Sequence, residues 1–212
     1  VLFRSAPIAT ASSAITASAI LERPADRARA MVAHPLNPPT VLRVLEIVPA
    51  PETEPAAVRR AADLFAAAGF APTVLAREVP GFVLNRLQGA ILREAYRLVA
   101  EGVVDVEGLD RLVRDGLGPR WALSGPFETA ELNTPGGIAG HAARMGPAYR
   151  AMGEARGERD CAWPDALVAA VERQRRAVLP ADAIPARVAW REGALARLAA
   201  ARTAVLAEAP DG

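Results

Sequence analysis

The sequence predicts an α/β region followed by an all-α region, and three observations carry that prediction. Short apolar or β-branched runs alternate with helical stretches up to about residue 78, the pattern of a parallel layer with helices packed on it. From Pro80 onward only helical periodicity recurs. Of the 212 residues, 51% are hydrophobic and 23% charged, enough for a sizeable core.

In the first part, Pro7 to Ala11 reads as a strand ending at Ser12-Ser13, with a helix after it as far as about Glu22. Ala30 to Ala33 is a second strand. The segment His34-Pro35-Leu36-Asn37-Pro38-Pro39 must then be a loop, because proline has no N–H for a ladder. Val41 to Val48 is a third strand, rich in β-branched residues. Thr53 reads as the N-cap of a helix from Glu54 to Ala68 closed by Gly69, and Thr73 to Ala76 as a fourth strand. In the second part, Phe82, Leu87, Ala90, Ile91, Ala95 and Leu98 step by three and four and mark one amphipathic helix to about Gly102. Asp105 caps the next helix, with Leu109, Leu112 and Val113 on one side. Gly116 to Pro126 is a turn region, and Pro164 to Val178 and Pro185 to Glu208 are two further helices. The boundary near Arg77 to Pro80 divides the chain into residues 1–78 and 79–212.

Charge and composition narrow the function. The 25 basic and 24 acidic residues leave +1, which gives no case for nucleic acid or an anionic membrane as partner. Every basic residue is arginine, so Schiff-base chemistry, a lysine base and a P-loop lysine are all excluded. Cys161 is the single cysteine, which excludes an internal disulfide framework and a thiolate cluster. With two histidines far apart, no metal site is expected. Residues 6 to 21 carry no charge but are rich in Ser, Thr and Ala, a poor secretory signal. No uncharged run reaches the ~18 apolar residues of a membrane span. A cytoplasmic location in a reduced compartment is expected.

The polar residues able to do chemistry are few. There are two histidines, His34 and His141, and three asparagines, Asn37, Asn85 and Asn133. His34 stands at a strand end, where α/β proteins place functional groups. Twelve residues later Glu46 lies in an otherwise apolar strand, where an unpaired carboxylate would be costly. If the two elements are neighbours, Glu46 can hold one nitrogen of His34 and leave the other for a substrate, as a general base requires. A structural histidine fits the spacing as well. Asn85, at the first turn of the long helix, either faces solvent or points into a cleft.

The run His34-Pro-Leu-Asn-Pro-Pro39, the strand Val44-Leu-Glu-Ile-Val48 and the segment Glu78-Val-Pro-Gly-Phe-Val-Leu-Asn-Arg-Leu87 together resemble the L-3-hydroxyacyl-CoA dehydrogenase family. Gly116-Leu-Gly-Pro-Arg-Trp-Ala122, Gly125-Pro-Phe-Glu-Thr-Ala-Glu-Leu-Asn133 and Val188-Ala-Trp-Arg-Glu-Gly-Ala-Leu-Ala-Arg-Leu198 are similar to its lambda-crystallin branch, whose members act as L-gulonate 3-dehydrogenases. The resemblance runs over nearly the whole chain from about Ile8. It implies a doubly wound, Rossmann-like domain, truncated here, followed by a helical dimerisation domain of the 6-phosphogluconate dehydrogenase C-terminal type. It further implies NAD as cofactor, a hydroxy acid or acyl-CoA as substrate, and a homodimer.

The family begins with a Gly-x-Gly-x-x-Gly turn that seats the dinucleotide pyrophosphate. This sequence has none; Gly116-Leu117-Gly118 lacks the third glycine and follows a helix. The chain therefore reads as the later part of a dinucleotide domain plus a helical domain. Carried over by motif, His34 resembles the base that takes the 3-hydroxyl proton, and Glu46 the carboxylate that orients it. Ser13 matches a serine near the nicotinamide and the substrate oxygen, although Ser12-Ser13 stands where the family has Thr-Ser. Asn85 matches the amide that holds the reacting oxygen, and Asn37 a position near the nicotinamide. In the acyl-CoA enzymes the turn matching Gly118 to Ala122 is shorter and apolar. Arg120 there offers a charged fork for a substrate carboxylate, unless it pairs with Glu128. Three functions remain: oxidation of a free 3-hydroxy acid, the same chemistry on a 3-hydroxyacyl-CoA, and a non-catalytic structural role of the lens-crystallin kind.

Without the pyrophosphate turn, residues 1–212 are expected to bind NAD poorly, because the backbone donors and helix dipole of that turn supply much of the affinity. Calorimetric titration checks this, and micromolar binding would refute it.

Overall fold

A computed structural model describes residues 6–20, 27–159 and 162–208. Cys161 and the end of the helix expected to reach Glu22 lie outside them. The chain divides into two compact units, residues 1–103 and 104–212.

The first unit contains a four-stranded sheet in the order β1–β2–β3–β4: β1 Ile8–Thr10, β2 Ala30–Pro35, β3 Val44–Pro49 and β4 Ala71–Val74. β1 pairs parallel with β2, and β3 parallel with β4, but β2 and β3 run antiparallel. The expected all-parallel layer is therefore corrected to a mixed sheet. The cause is local, because only eight residues join β2 to β3 and a parallel crossover needs a dozen or more. Val41 and Leu42 belong to a turn that donates to the Pro38 carbonyl, at 3.1 and 2.9 Å, so β3 starts at Val44 rather than Val41.

His34 and Pro35 are strand residues, not loop. Leu36 donates to the Val44 carbonyl at 3.3 Å, which makes residues 36, 34 and 32 the hydrogen-bonded positions facing β3. Pro35 alternates with them and turns its missing N–H the other way. On that side β1 has already ended, its last pair being Thr10 with Val32. The proline costs no ladder bond there.

Alternation then sorts the side chains. Met31, Ala33, Leu45 and Ile47 face α2 (Pro55–Ala67), packing on Ala57, Val58 and Ala61 with Phe65 and Phe70 at the margin. Val32 and Val48 point to the opposite face and meet Ala17 of α1 (Ala17–Ile20), Ala50, Leu75 and Phe82. His34 and Glu46 share this second face by the same period of two. α2 starts after Glu54, and Thr53 does not cap it. The Thr53 hydroxyl donates instead to the Ala30 carbonyl at 2.5 Å and ties the connection to β2.

α3 (Leu84–Ala100) completes the unit. Gly102, at φ 71°, follows it. Its apolar stripe stays partly open, with Leu87 54% and Ile91 39% exposed, while Phe82 lies before the helix and is fully buried.

Every regular element among the described residues of the second unit is helical: α4 Val106–Arg111, α5 Gly118–Leu123, α6 Pro126–Asn133, α7 Gly137–Ala155, α8 Asp165–Val178 and α9 Ile184–Ala207, with shorter helical turns between them. Asp105 caps α4 as expected, accepting from Gly108 N–H at 2.7 Å. The segment read as a turn, Gly116 to Pro126, is largely helical, with a π-helical turn at Leu112–Leu117 running into α5. Pro119 lies at the junction where the π-helical turn passes into α5. α7 is unannounced in the sequence because glycines and Pro147 interrupt its pattern. Gly140 is required there, since a Cβ would collide with the Pro135 carbonyl oxygen.

Candidate active site

α3 has no local cap. Its N-cap residue is Val83, whose side chain cannot accept the first free N–H groups of the helix. The missing acceptor comes from the sheet: Glu46 Oε1 accepts from Val83 N–H at 2.8 Å and from Leu84 N–H at 3.1 Å. Its other oxygen, Oε2, lies 2.8 Å from His34 Nδ1. His34 and Glu46 sit directly opposite in the β2–β3 register. Both are buried, at 6% and 2% exposure. The carboxylate is thus satisfied at both oxygens, and the positive end of α3 balances its charge.

A carboxylate accepts only, so the bond fixes the proton of a neutral His34 on Nδ1 and leaves Nε2 as a lone pair. Nε2 has no hydrogen bond among the described residues, and the His34 side chain keeps 8% exposure. The Phe82 ring stands 5.5 Å from the imidazole, tilted by 54°.

Two other expected residues meet beside this pair. The Asn85 amide Nδ2, one residue beyond the Glu46-bound amides, donates to the Ser13 carbonyl oxygen. The neighbouring hydroxyl, Ser12 Oγ, is committed to its own turn and accepts from Ile15 N–H at 3.0 Å. The Ser13 hydroxyl has no partner among the described residues. Asn37 is exposed in the β2–β3 loop, next to a cis bond to Pro38, and no contact joins it to the cluster among the described residues.

Arg120 belongs to the second unit. It is exposed on α5 and lines a cavity of about 540 Å³ with Trp121, Phe127, His141, Tyr149 and Trp163. Glu128 is not its partner: that carboxylate takes Arg187 Nε at 2.8 Å and approaches Arg175 at 3.6 Å. Arg120 has no ion pair among the described residues. Unforeseen in the sequence was Glu131, 1% exposed and held by Arg175 at 2.7 Å and by Arg176, which ties α6 to α8. Its one signal was the recurrence of Glu128 and Glu131 three apart, one helical turn, in a chain with an Arg-rich α8. Phe82 and the Val83 and Leu84 amides were also missed. Their signal was the absence of Ser, Thr, Asp or Asn before an apolar helix start.

The first unit is thus a β/α layer carrying an imidazole held by a carboxylate, and the second unit is built of helices. The chain belongs to the 3-hydroxyacyl-CoA dehydrogenase family. Residues 2–79 match that family's NAD binding domain and residues 81–178 its C-terminal domain. It is 40% identical to the lambda-crystallin homolog of Bos taurus over 91% of this chain and 60% of that protein. It is also 40% identical to the L-carnitine dehydrogenase of Streptomyces griseus, over 66% of this chain and 42% of that one. Among solved structures it resembles 5-formyl-3-hydroxy-2-methylpyridine 4-carboxylic acid 5-dehydrogenase, an NAD+-dependent dismutase, with TM-score 0.62 and 25% identity over 91% of this chain and 65% of that one. The chain spans about 60% of the length of the lambda-crystallin relative.

Glu46→Ala is expected to lower stability by roughly 2–4 kcal/mol, because it orphans two helix N–H groups and a buried imidazole at once. Glu46→Gln should cost less, since an amide oxygen can still accept from α3. Urea unfolding of both variants checks the order, and an Ala variant as stable as wild type would contradict it.

Proposed function

We propose that the whole protein to which these residues belong oxidises the 3-hydroxyl of a free hydroxy acid, of the L-gulonate type, with NAD as acceptor. The observation that carries this reading is the open Nε2 of a buried histidine whose Nδ1 is held by Glu46. Such a lone pair is placed to take the hydroxyl proton of an alcohol as its C–H bond breaks. Glu46 keeps the imidazole oriented and sits against the positive charge that His34 then carries. Asn85, fixed through Ser13, offers an amide to the reacting oxygen, and the Ser13 hydroxyl is free to bond at the same place.

NAD, when bound, supplies the acceptor for the hydride that leaves carbon 3. The residues present suit its reacting end, because the Ser13 hydroxyl and the Asn37 amide are both exposed and unbonded among the described residues. In this reading residues 1–78 are the later part of the dinucleotide domain, and residues 79–212 shape the substrate site and the homodimer.

The choice of a free acid over a CoA thioester rests on Arg120. It is an unpaired guanidinium at the edge of an aromatic cavity, suited to take a carboxylate through two parallel hydrogen bonds. Two similar proteins carry names that also point to acids, since carnitine bears a carboxylate and the dismutase is named for a pyridine carboxylic acid.

His34→Gln should lower turnover by roughly 10²–10⁴-fold, the usual worth of a positioned general base. Steady-state rates decide it, and unchanged turnover would sink the mechanism. Arg120→Met should raise KM for a hydroxy acid roughly tenfold or more, the effect of one lost charged hydrogen bond, and leave a 3-hydroxyacyl-CoA almost unaffected. Equal loss on both substrates, or a wild-type preference for the thioester, would return the substrate to the acyl-CoA class.

A further inference from the structure

Phe82 combines three properties that seldom occur together. It is a bulky residue at φ 50°, a left-handed conformation that glycine, asparagine or aspartate adopt with less strain. It is fully buried. Its ring lies against the imidazole of His34, centroid to centroid 5.5 Å. Gly81, at φ 76°, precedes it, so two successive left-handed residues reverse the chain immediately before α3. That reversal aims the Val83 and Leu84 N–H groups at Glu46. A glycine at residue 82 would serve the turn alone; the side chain must have another use.

We propose that Phe82 is a positioning residue for His34: its ring walls the imidazole so that Nδ1 stays on Glu46 and Nε2 stays open. This rests on the reading of His34 as the base. The wall is rigid because Phe82 packs in the same cluster as Val32 and Val48. These two residues flank His34 and Glu46 on the same face of β2 and β3. Without the ring, the imidazole gains room to turn about its Cβ–Cγ bond, which takes Nδ1 off Glu46 and lets the freed neutral ring adopt the Nε2–H tautomer. A proton then appears on the atom that must be bare to receive one. The turn and the ring thus fix the two ends of one pair: the backbone amides hold the carboxylate, and the ring holds the imidazole.

The test is the protonation pattern of the His34 ring, read by ¹H–¹⁵N imidazole spectra of the ¹⁵N-labelled 212-residue chain. Only His34 and His141 contribute, and a His141→Gln spectrum assigns them. Wild type should show His34 with its proton on Nδ1 and a bare Nε2. Phe82→Leu keeps apolar bulk, and Phe82→Gly keeps the left-handed turn; both lack the ring. Each should give a mixed ring state, and in the whole protein each should lower kcat roughly 10- to 100-fold with KM little changed, as a misplaced base does. Thermal melts establish that each variant is folded; if Phe82→Gly is not, Phe82→Leu decides alone. A folded variant with the wild-type His34 spectrum overturns the proposal. If His34→Gln leaves turnover intact, the reading of the base fails while the spectra still decide what Phe82 does.

Discussion

The Glu46 carboxylate is the point at which the sheet, the long helix and the candidate base of the first unit are joined. One oxygen caps the start of α3 and the other orients His34. Both partners need an acceptor, and the buried Glu46 carboxylate meets both needs at once. Each partner also makes the buried charge tolerable, because donors surround it and the helix end opposes it.

The reversed direction of β3 makes this possible. Antiparallel pairing over a short loop sets His34 and Glu46 directly opposite, with side chains on one face. The period of two then sends Met31, Ala33, Leu45 and Ile47 to the face that α2 covers, so the hydrophobic core and the polar pair occupy opposite sides of the same two strands. On the polar side, Phe82 and Ala17 close the cluster with Val32 and Val48.

The second unit solves its own buried-charge problem in another way. Glu128 and Glu131 share three arginines, and Arg187 also lies 4.0 Å from the Trp190 ring. An all-arginine complement suits such shared pairs, because the planar fork donates in two directions where an ammonium is a point charge. Arg120 stands apart from this network, which is why it can be assigned to a ligand in the proposed function.

Much of this was legible before the structure. The change of texture near residue 78, the alternation of strands with helices and the carboxylate stranded in an apolar strand were all visible in residue order. Together with three motif runs they pointed to the family and to His34 and Glu46. They were readable because local propensity and pattern act over a few residues. Residue order did not reveal that Pro35 sits in a strand, because that depends on β1 ending short of it. Nor did it reveal α7, where Gly140 packs closely on the Pro135 carbonyl. The cap of α3 was hidden for the same reason: Val83 and Glu46 are 37 residues apart, and no local pattern links a helix start to a distant strand. The sequence by itself determined which groups are available for chemistry. The tertiary structure decided which nitrogen of His34 is held and which is open, because that depends on a carboxylate, two backbone amides and an aromatic ring that meet only when the chain is folded.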